Sequence, residues 1–380
     1  MRVETHHYTP DRSFERSFDV YRPSPASPAS SSSDDSGAPR PVVALVVGSA
    51  WLGHRPLVYL GTSWWNSSGP RRVASLGYTC VCVRHRGSFP RAYSPFTLAV
   101  LAAASGLIAW LAGTALRGVG EREVFVAVLT ALVFLVEAGG RGSASFGDMQ
   151  GDVADALGYI VANRRELGLD FRLGGEPEND GRGRKRPRLV LGGYSSGGHV
   201  CASIVRRSDL WRDRGLPYPS DLAGGMLYVS PVLATRAWTP AAREGGRGSG
   251  SGTRGSGSPT WFTDGVLRMV FGREGAGSVP SPLHEVLDGG DGDGGPSSSA
   301  MSHPDVPHVL VGCRDEVFGL GVMDTFFAAE EYSRALRERC GVDSRYRSVE
   351  SDHWSVLGSR ALGDALEEEL EGLRGKMAGR

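Results

Sequence analysis

The stretch Gly193-Tyr194-Ser195-Ser196-Gly197-Gly198-His199 decides the fold. It follows a short apolar run at residues 189–192 and precedes a helix-compatible segment at 200–205. This order predicts a strand, a tight turn that carries Ser195, and then a helix, an arrangement that pushes a serine hydroxyl out of the sheet edge. Glycines two residues before and two after Ser195 suit such a turn, because the flanking backbones pass close together. Ser195 is therefore the candidate nucleophile.

The position of that serine is unambiguous. The chain contains no second Gly-x-Ser-x-Gly. A frame centred on Ser196 would need glycine where the sequence has Tyr194. An isolated motif of this kind does not by itself identify an active site, so the base and the acid must be sought elsewhere in the chain.

The composition excludes several classes of protein. The 380 residues include 42 Lys+Arg and 42 Asp+Glu, and a net charge of zero argues against a nucleic-acid partner. The five cysteines are scattered and odd in number, so we expect reduced thiols. Cys80 and Cys82 have the wrong spacing for a zinc site. The sequence therefore predicts neither a metal nor a cofactor.

Strand-like and helical segments alternate along most of the chain, which predicts a mainly parallel sheet with helices on both faces. The strand-like runs are residues 42–47, 78–83, 189–191, 226–229, 309–313 and 346–349. Helical periodicity predicts one helix over 149–161, with Asp148 as a possible N-cap. Further helices are predicted around 325–339 and, from a leucine repeat, over 362–373.

Low-complexity stretches interrupt this pattern. Rich in Ser, Pro, Gly and charge, they lack the apolar area needed to build a core of their own. We expect a flexible loop and three surface insertions within one domain that spans 1–380. These stretches are residues 24–39, 174–188, 243–259 and 288–299.

Residues 92–140 do not fit the alternation. No charged residue occurs over 92–116, which is the length of a bilayer-spanning helix. A second apolar run at 124–136 is short for a span, and Glu137 closes it. We favour an inserted apolar hairpin that acts as a membrane anchor; the alternative is a lid over the active site. Because residues 1–22 lack the apolar run of a secretory signal, the catalytic part is expected on the cytoplasmic side of that membrane, or in the cytoplasm if the hairpin is a lid.

Acyl transfer by a serine requires a base, a carboxylate that orients the base, and donors for the oxyanion. When the serine lies on a strand-to-helix elbow, the partners follow in the order acid and then histidine. Asp315 comes just after the strand-like run 309–313, and His353 comes just after 346–349. We therefore assign Asp315 as the orienting acid, with Glu316 as the alternative, and His353 as the base.

The other histidines near these segments are interpreted as structural. His303 and His308 precede their strand and so belong to the wrong side of the sheet. His199 lies in the elbow helix and is expected to be packed or solvated.

These features resemble the α/β-hydrolase superfamily. Within it, the sequence is most similar to the esterase branch that includes isoprenylcysteine methylesterases, kynurenine formamidases and related carboxylesterases. The resemblance covers roughly residues 15–90 and 146–375, with 92–140 as an insertion between the two blocks. It implies an α/β-hydrolase fold and an acyl-enzyme mechanism. The segments that carry it are 19–23, 48–51, 84–90, 147–163 and 281–283.

The sequence departs from those relatives at the oxyanion segment, where Val47-Gly48-Ser49 replaces His-Gly-Gly. Backbone N–H groups form this kind of hole, so the missing histidine need not abolish it. The resemblance implies donors from Gly48 or Ser49 and from Ser196. Loss of the second glycine restricts the backbone to conformations open to serine. Activity is then expected to be low or specialised if Ser49 misplaces its N–H.

Three functions fit the residues. The first is a serine hydrolase of carboxylic esters, acting on a small-molecule or lipid-linked ester such as a prenylcysteine methyl ester. The second is a formamide or amide hydrolase that uses the same triad. The third is a catalytically impaired hydrolase fold that serves as a membrane scaffold. The intact order of serine, acid and histidine favours an enzyme.

Overall fold

The structure is a computed structural model, and the structural statements below concern the residues that it describes. Four of the described residues (276, 315, 352 and 378) are placed in their elements without a description of their side chains. The described ranges are 1–24, 40–49, 51, 68–88, 144–177, 188–235, 267–268, 270–271, 276–288, 305–315, 328–353 and 356–378.

A single sheet of eight described strands organises the fold, in the order β1-β2-β4-β3-β5-β6-β7-β8. The two N-terminal strands run antiparallel to their neighbours, and all later neighbours are parallel. The strands are β1 (Arg2–His7), β2 (Ser17–Arg22), β3 (Val43–Val46), β4 (Cys80–Val83), β5 (Leu189–Tyr194), β6 (Ala223–Val229), β7 (His308–Asp315) and β8 (Ser344–Asp352).

Helices cover both faces of this sheet. They are α1 (68–75), α2 (Phe146–Ala162), α3 (Ser195–Ile204), α4 (Ser208–Asp213), α5 (Pro219–Leu222), α6 (Pro282–Asp288), α7 (Ala329–Cys340) and α8 (Arg360–Ala378). Short 3-10 turns occur at Phe14–Arg16, Ala276–Ser278 and Val356–Gly358.

The alternation of side chains along the central strands divides the core into two layers. Val43 and Leu45 of β3 face α1 and α8, where they meet the leucines of the C-terminal helix. Ala44 and Val46 face the opposite way, toward α2, α3, α6 and α7. Continuous apolar strands are required because both faces are covered, and each fully buried Val or Leu contributes roughly 1.5–3 kcal/mol to the free energy of unfolding.

The N-terminus of α2 corrects one prediction. Ser145, not Asp148, is the N-cap, since its side chain accepts a hydrogen bond from the Asp148 N–H. Asp148 sits at the third helical position, and its carboxylate accepts from the Ser145 N–H at 2.8 Å. This reciprocal pair is a capping box, in which an acidic residue three places after a serine closes the helix end.

The predicted alternation of strands and helices is confirmed in the described chain. The six predicted strands correspond to β3 through β8, and the predicted helices to α2, α7 and α8. All five cysteines are free and four of them are buried, as expected of reduced core thiols. The resemblance pointed to a strand over 19–23, which corresponds to β2; β1 was missed. The segment 84–88 follows β4.

Several predictions fall on residues outside the description. These are the hairpin at 92–140, the insertion at 243–259, and most of the stretches 24–39, 174–188 and 288–299. No described helix has the length and apolar character needed to cross a bilayer.

Candidate active site

Ser195 stands on a strained elbow between β5 and α3. Its backbone has φ of +53°, a left-handed conformation that costs a non-glycine residue about 1 kcal/mol or more. The side chain lies at the sheet edge with 9% of its surface exposed. As the first residue of α3, Ser195 sits beside the N–H groups of the first turn, which have no acceptor within the helix. A developing negative charge is stabilised in that place.

The two elbow glycines are required by close backbone contacts. A Cβ on Gly193 would lie 2.7 Å from the backbone of Gly197 and Gly198. A Cβ on Gly197 would lie 2.3 Å from the Val46 carbonyl oxygen. Contacts this short leave no room for any side chain, which is the physical reason for the Gly-x-Ser-x-Gly spacing.

His353 reaches the serine hydroxyl directly. Its Nε2 lies 3.0 Å from Ser195 Oγ, within hydrogen-bond reach of the proton that a general base must remove. The two residues are 158 positions apart in sequence, and the parallel sheet brings them together because β5 and β8 end at the same edge. His353 is 5% exposed.

Tyr194 holds the histidine from one side. Its hydroxyl donates to the His353 carbonyl oxygen at 2.6 Å. The two rings stack with centroids 5.2 Å apart and an angle of 22° between planes. The residue just before Ser195 therefore restrains both the backbone and the ring face of His353.

The other imidazole nitrogen contacts an unexpected partner. His353 Nδ1 lies 3.1 Å from the Oγ of Ser230, the residue that follows β6. Ser230 is fully buried and has φ of +43°. Nothing in the sequence marks Ser230, since a serine after a strand carries no motif.

Asp315 lies at the end of β7, beside the end of β8. Its Cα pairs with that of Asp352, the residue immediately before His353, after a register shift in the ladder. The backbone thus brings Asp315 to the same sheet edge as His353; its side chain is outside the description, as is Glu316. The assignment of the acid stays a prediction.

The segment predicted to supply oxyanion donors lies against the elbow. A Cβ on Gly48 would come within 2.7 Å of Ser195 Cβ and 2.6 Å of the Tyr194 carbonyl oxygen. The Ser49 N–H donates to Ser196 Oγ at 2.9 Å. The Ser196 side chain therefore ties this segment to the elbow helix and already engages one of the three predicted donors. The Gly48 amide and the first-turn amide of Ser196 are the other two.

A buried histidine supports the same segment. Trp51, whose φ is +61°, donates its indole N–H to His199 Nδ1 at 3.1 Å. His199 Nε2 lies 2.9 Å from the Pro280 carbonyl oxygen. A carbonyl only accepts, so Nε2 carries the hydrogen and the ring is neutral. His199 is packed rather than solvated, with Phe146 at 4.6 Å between ring centroids.

This neutral histidine predicts a pH dependence of stability. Burial lowers the pKa of His199 from 6.5 to about 4. Because the folded value lies below the unfolded one, the unfolded chain binds more protons between these values. The contribution to stability is complete above pH 6.5 and is lost as the pH falls toward 4. The free energy of unfolding should therefore fall by about 2 kcal/mol between roughly pH 7 and pH 5.

Urea unfolding at pH 7 and pH 5 measures this loss of unfolding free energy. His199→Gln removes the titrating imidazole and should make the loss about 2 kcal/mol smaller than in the wild type. His284→Gln, a half-buried histidine bonded to Ser281, is the matched control and should follow the wild type. An equal loss in wild type and His199→Gln would show that His199 is not held neutral.

Of the two remaining predicted histidines, only His308 lies in the described part of the chain, and it is not in the site. His308 is the first residue of β7 and is fully buried, so it lies at the opposite edge of the sheet from Ser195, as predicted. His303 is outside the description. Across the described ranges, no group of three or more His, Cys, Asp or Glu side chains could hold a metal ion.

Comparison with solved structures shows the α/β-hydrolase fold. Esterase B from Lactobacillus rhamnosis superposes with a TM-score of 0.52 at 13% identity, over 99% of this chain and 85% of that chain. The same esterase inhibited by a C6-C4 SN3 compound gives a TM-score of 0.51 at 13% identity, over 100% of this chain and 87% of that chain. Esterase Est22 gives a TM-score of 0.50 at 16% identity, over 100% of this chain and 82% of that chain. No family model and no curated protein matches the sequence.

These likenesses concern the fold. They agree with the α/β-hydrolase fold and the mainly parallel sheet that the sequence predicts. The narrower resemblance, to isoprenylcysteine methylesterases and kynurenine formamidases, stays a prediction.

Proposed function

We propose that the protein is a serine hydrolase that cleaves carboxylic esters through an acyl-enzyme. The observation that carries the proposal is the 3.0 Å contact between His353 Nε2 and Ser195 Oγ on a left-handed elbow. A nucleophile and a base within hydrogen-bond reach, with the base itself restrained by other groups, are the signature of this chemistry. The esterases that share the fold support the same reaction class.

The geometry yields the following steps. Ser195 Oγ attacks the acyl carbon while His353 Nε2 accepts the hydroxyl proton. The tetrahedral oxyanion is stabilised by backbone N–H groups, for which we propose Gly48 and Ser196, with Ser49 as the third predicted donor. His353 then returns the proton to the leaving alcohol, and an acyl-Ser195 ester remains. Water, deprotonated by His353, attacks the acyl carbon and releases the acid and the free serine.

Asp315 is proposed as the orienting carboxylate because its backbone lies beside the end of β8. Asp315→Asn is expected to lower kcat by a factor of about 10² or more, since the carboxylate stabilises the imidazolium that forms when His353 takes the serine proton. Glu316→Gln is the matched control and should keep most of the activity. An active Asp315→Asn beside an inactive Glu316→Gln would move the acid to Glu316. Steady-state kinetics of the two variants measure this.

A lipid-linked ester, such as a prenylcysteine methyl ester, is the narrower substrate that we propose. It rests on the sequence resemblance and on the apolar character of residues 92–140. The same segment is the basis for proposing membrane association with the catalytic domain on the cytoplasmic side.

A substrate panel tests the reaction class. Purified protein is assayed with acyl esters of increasing chain length, a prenylcysteine methyl ester and an aryl formamide. We expect turnover of esters well above that of the formamide. Preferential turnover of the formamide would assign the amide alternative. If no substrate turns over and no serine-reactive probe binds, the protein is an impaired hydrolase fold, and the engaged Ser49 amide is the first place to seek the cause.

A further inference from the structure

The segment after β6 has an unusual backbone. Ser230 has φ of +43° although it is not glycine, a conformation that persists only where surrounding contacts enforce it. Its N–H donates to the Val311 carbonyl oxygen at 2.7 Å, which extends the β6–β7 ladder by one residue beyond the pairing of Val229 with Val311. Strain of this kind recurs where a side chain must be aimed at a site.

The next two residues attach the same segment to the elbow. The Val232 N–H donates to the Ser195 carbonyl oxygen at 3.2 Å. Pro231 packs so closely on α3 that a Cβ on Gly198 would lie 2.8 Å from its ring. The position of Ser230 is therefore fixed relative to Ser195 as well as to β7.

This backbone directs the Ser230 hydroxyl at the base. Ser230 Oγ lies 3.1 Å from His353 Nδ1, while Nε2 of the same ring lies 3.0 Å from Ser195 Oγ. If Nε2 accepts the serine proton, Nδ1 must carry the hydrogen and donate it. We propose that Ser230 is a positioning residue for His353, whose hydroxyl accepts the Nδ1–H and holds the tautomer in which Nε2 is free to act as base. This proposal rests on the proposed serine hydrolase function.

The hydroxyl can fill this role because it has a neighbour for its own hydrogen. Ser230 Oγ lies 3.5 Å from Cys313 Sγ, inside the core. A hydroxyl accepts with its lone pairs while its hydrogen turns toward the sulfur, a weak acceptor. Ser230 is neutral, so it orients the ring without adding the charge stabilisation that a carboxylate supplies. Its role is therefore separable from that proposed for Asp315.

The first measurement is the tautomer, which needs no turnover. Long-range ¹H–¹⁵N spectra of protein labelled with ¹⁵N-histidine report which ring nitrogen carries the hydrogen. Nine histidines contribute signals, and His353→Gln assigns the relevant one. We expect the Nδ1–H tautomer in the wild type and a mixture with Nε2–H in both Ser230→Gly and Ser230→Ala.

The second measurement is kinetic. Both variants should show kcat about tenfold lower, the factor that one hydrogen bond typically contributes, with KM changed less than about twofold because Ser230 orients the base and contacts no substrate. Glycine relieves the strain at φ of +43° and alanine does not, so a purely structural role predicts that the two variants differ. Ser333→Ala removes another buried hydroxyl, bonded to Ser344, and should behave as wild type in both measurements.

The outcomes separate the two proposals. An Nε2–H tautomer in the wild type, or an unchanged Nδ1–H tautomer in Ser230→Gly, would overturn the role of Ser230 whether or not esters are cleaved. A wild type that holds the expected tautomer but neither turns over esters nor labels at Ser195 would leave the role of Ser230 standing and overturn the proposed function.

Discussion

Ser195→Ala is expected to lower ester turnover by a factor of about 10⁴ or more, because the hydroxyl oxygen is the atom that forms the acyl bond. The protein should stay folded. Alanine keeps the Cβ and so adds no new clash at the elbow, and the hydrogen bond lost to His353 costs about 1 kcal/mol. Initial rates with an acyl ester, together with thermal unfolding of both proteins, measure the two effects separately.

Ser203→Ala is the matched control for this variant. Ser203 lies on the same helix and is buried, but it is eight positions beyond the elbow. It should retain wild-type turnover. If Ser195→Ala keeps more than about a tenth of the activity, the nucleophile assignment is wrong, and Ser196 is the neighbouring hydroxyl to test next.

His353→Gln is expected to lower kcat by about 10³, within the range of 10²–10⁴ that general acid–base catalysis supplies. Glutamine preserves the approximate volume and polarity beside Tyr194, so the loss should be chemical. The remaining rate should rise steadily with hydroxide concentration, because deprotonation of Ser195 would then depend on solvent. The pH dependence of kcat for both proteins checks this.

His284→Gln is the control for the histidine change, since His284 bonds to Ser281 at the start of α6 and takes no part in the proposed chemistry. A His353→Gln variant with near wild-type kcat would contradict the assignment of the base. In that case the short contact to Ser195 would be a packing feature of the elbow.

The central part of the fold could be predicted because it follows from local patterns. Strands buried on both faces must be continuously apolar, and β3 to β7 show this directly in the sequence. The elbow could be predicted for the same reason, as its glycines are required by contacts between adjacent backbones. The order of Ser195, Asp315 and His353 along the chain was enough to predict the contact between His353 and Ser195.

Other features depend on contacts that no local pattern encodes. Ser230 meets His353 across 123 positions in sequence, and only the register of β6, β7 and β8 brings their ends together. The role of His199 depends on Trp51, which is 148 positions away. β1 was missed because Arg2–His7 is polar and largely exposed at the sheet edge, where strand formation depends on pairing with β2.

The central claim is that Ser195 is a nucleophile activated by His353. The most direct test is reaction of the wild type with a fluorophosphonate probe, followed by intact mass measurement and peptide mapping. We expect one adduct per chain, on the peptide that carries Ser195, with no adduct on Ser195→Ala and much slower labelling of His353→Gln. Labelling at another residue, or no labelling of a folded wild type, would contradict the account.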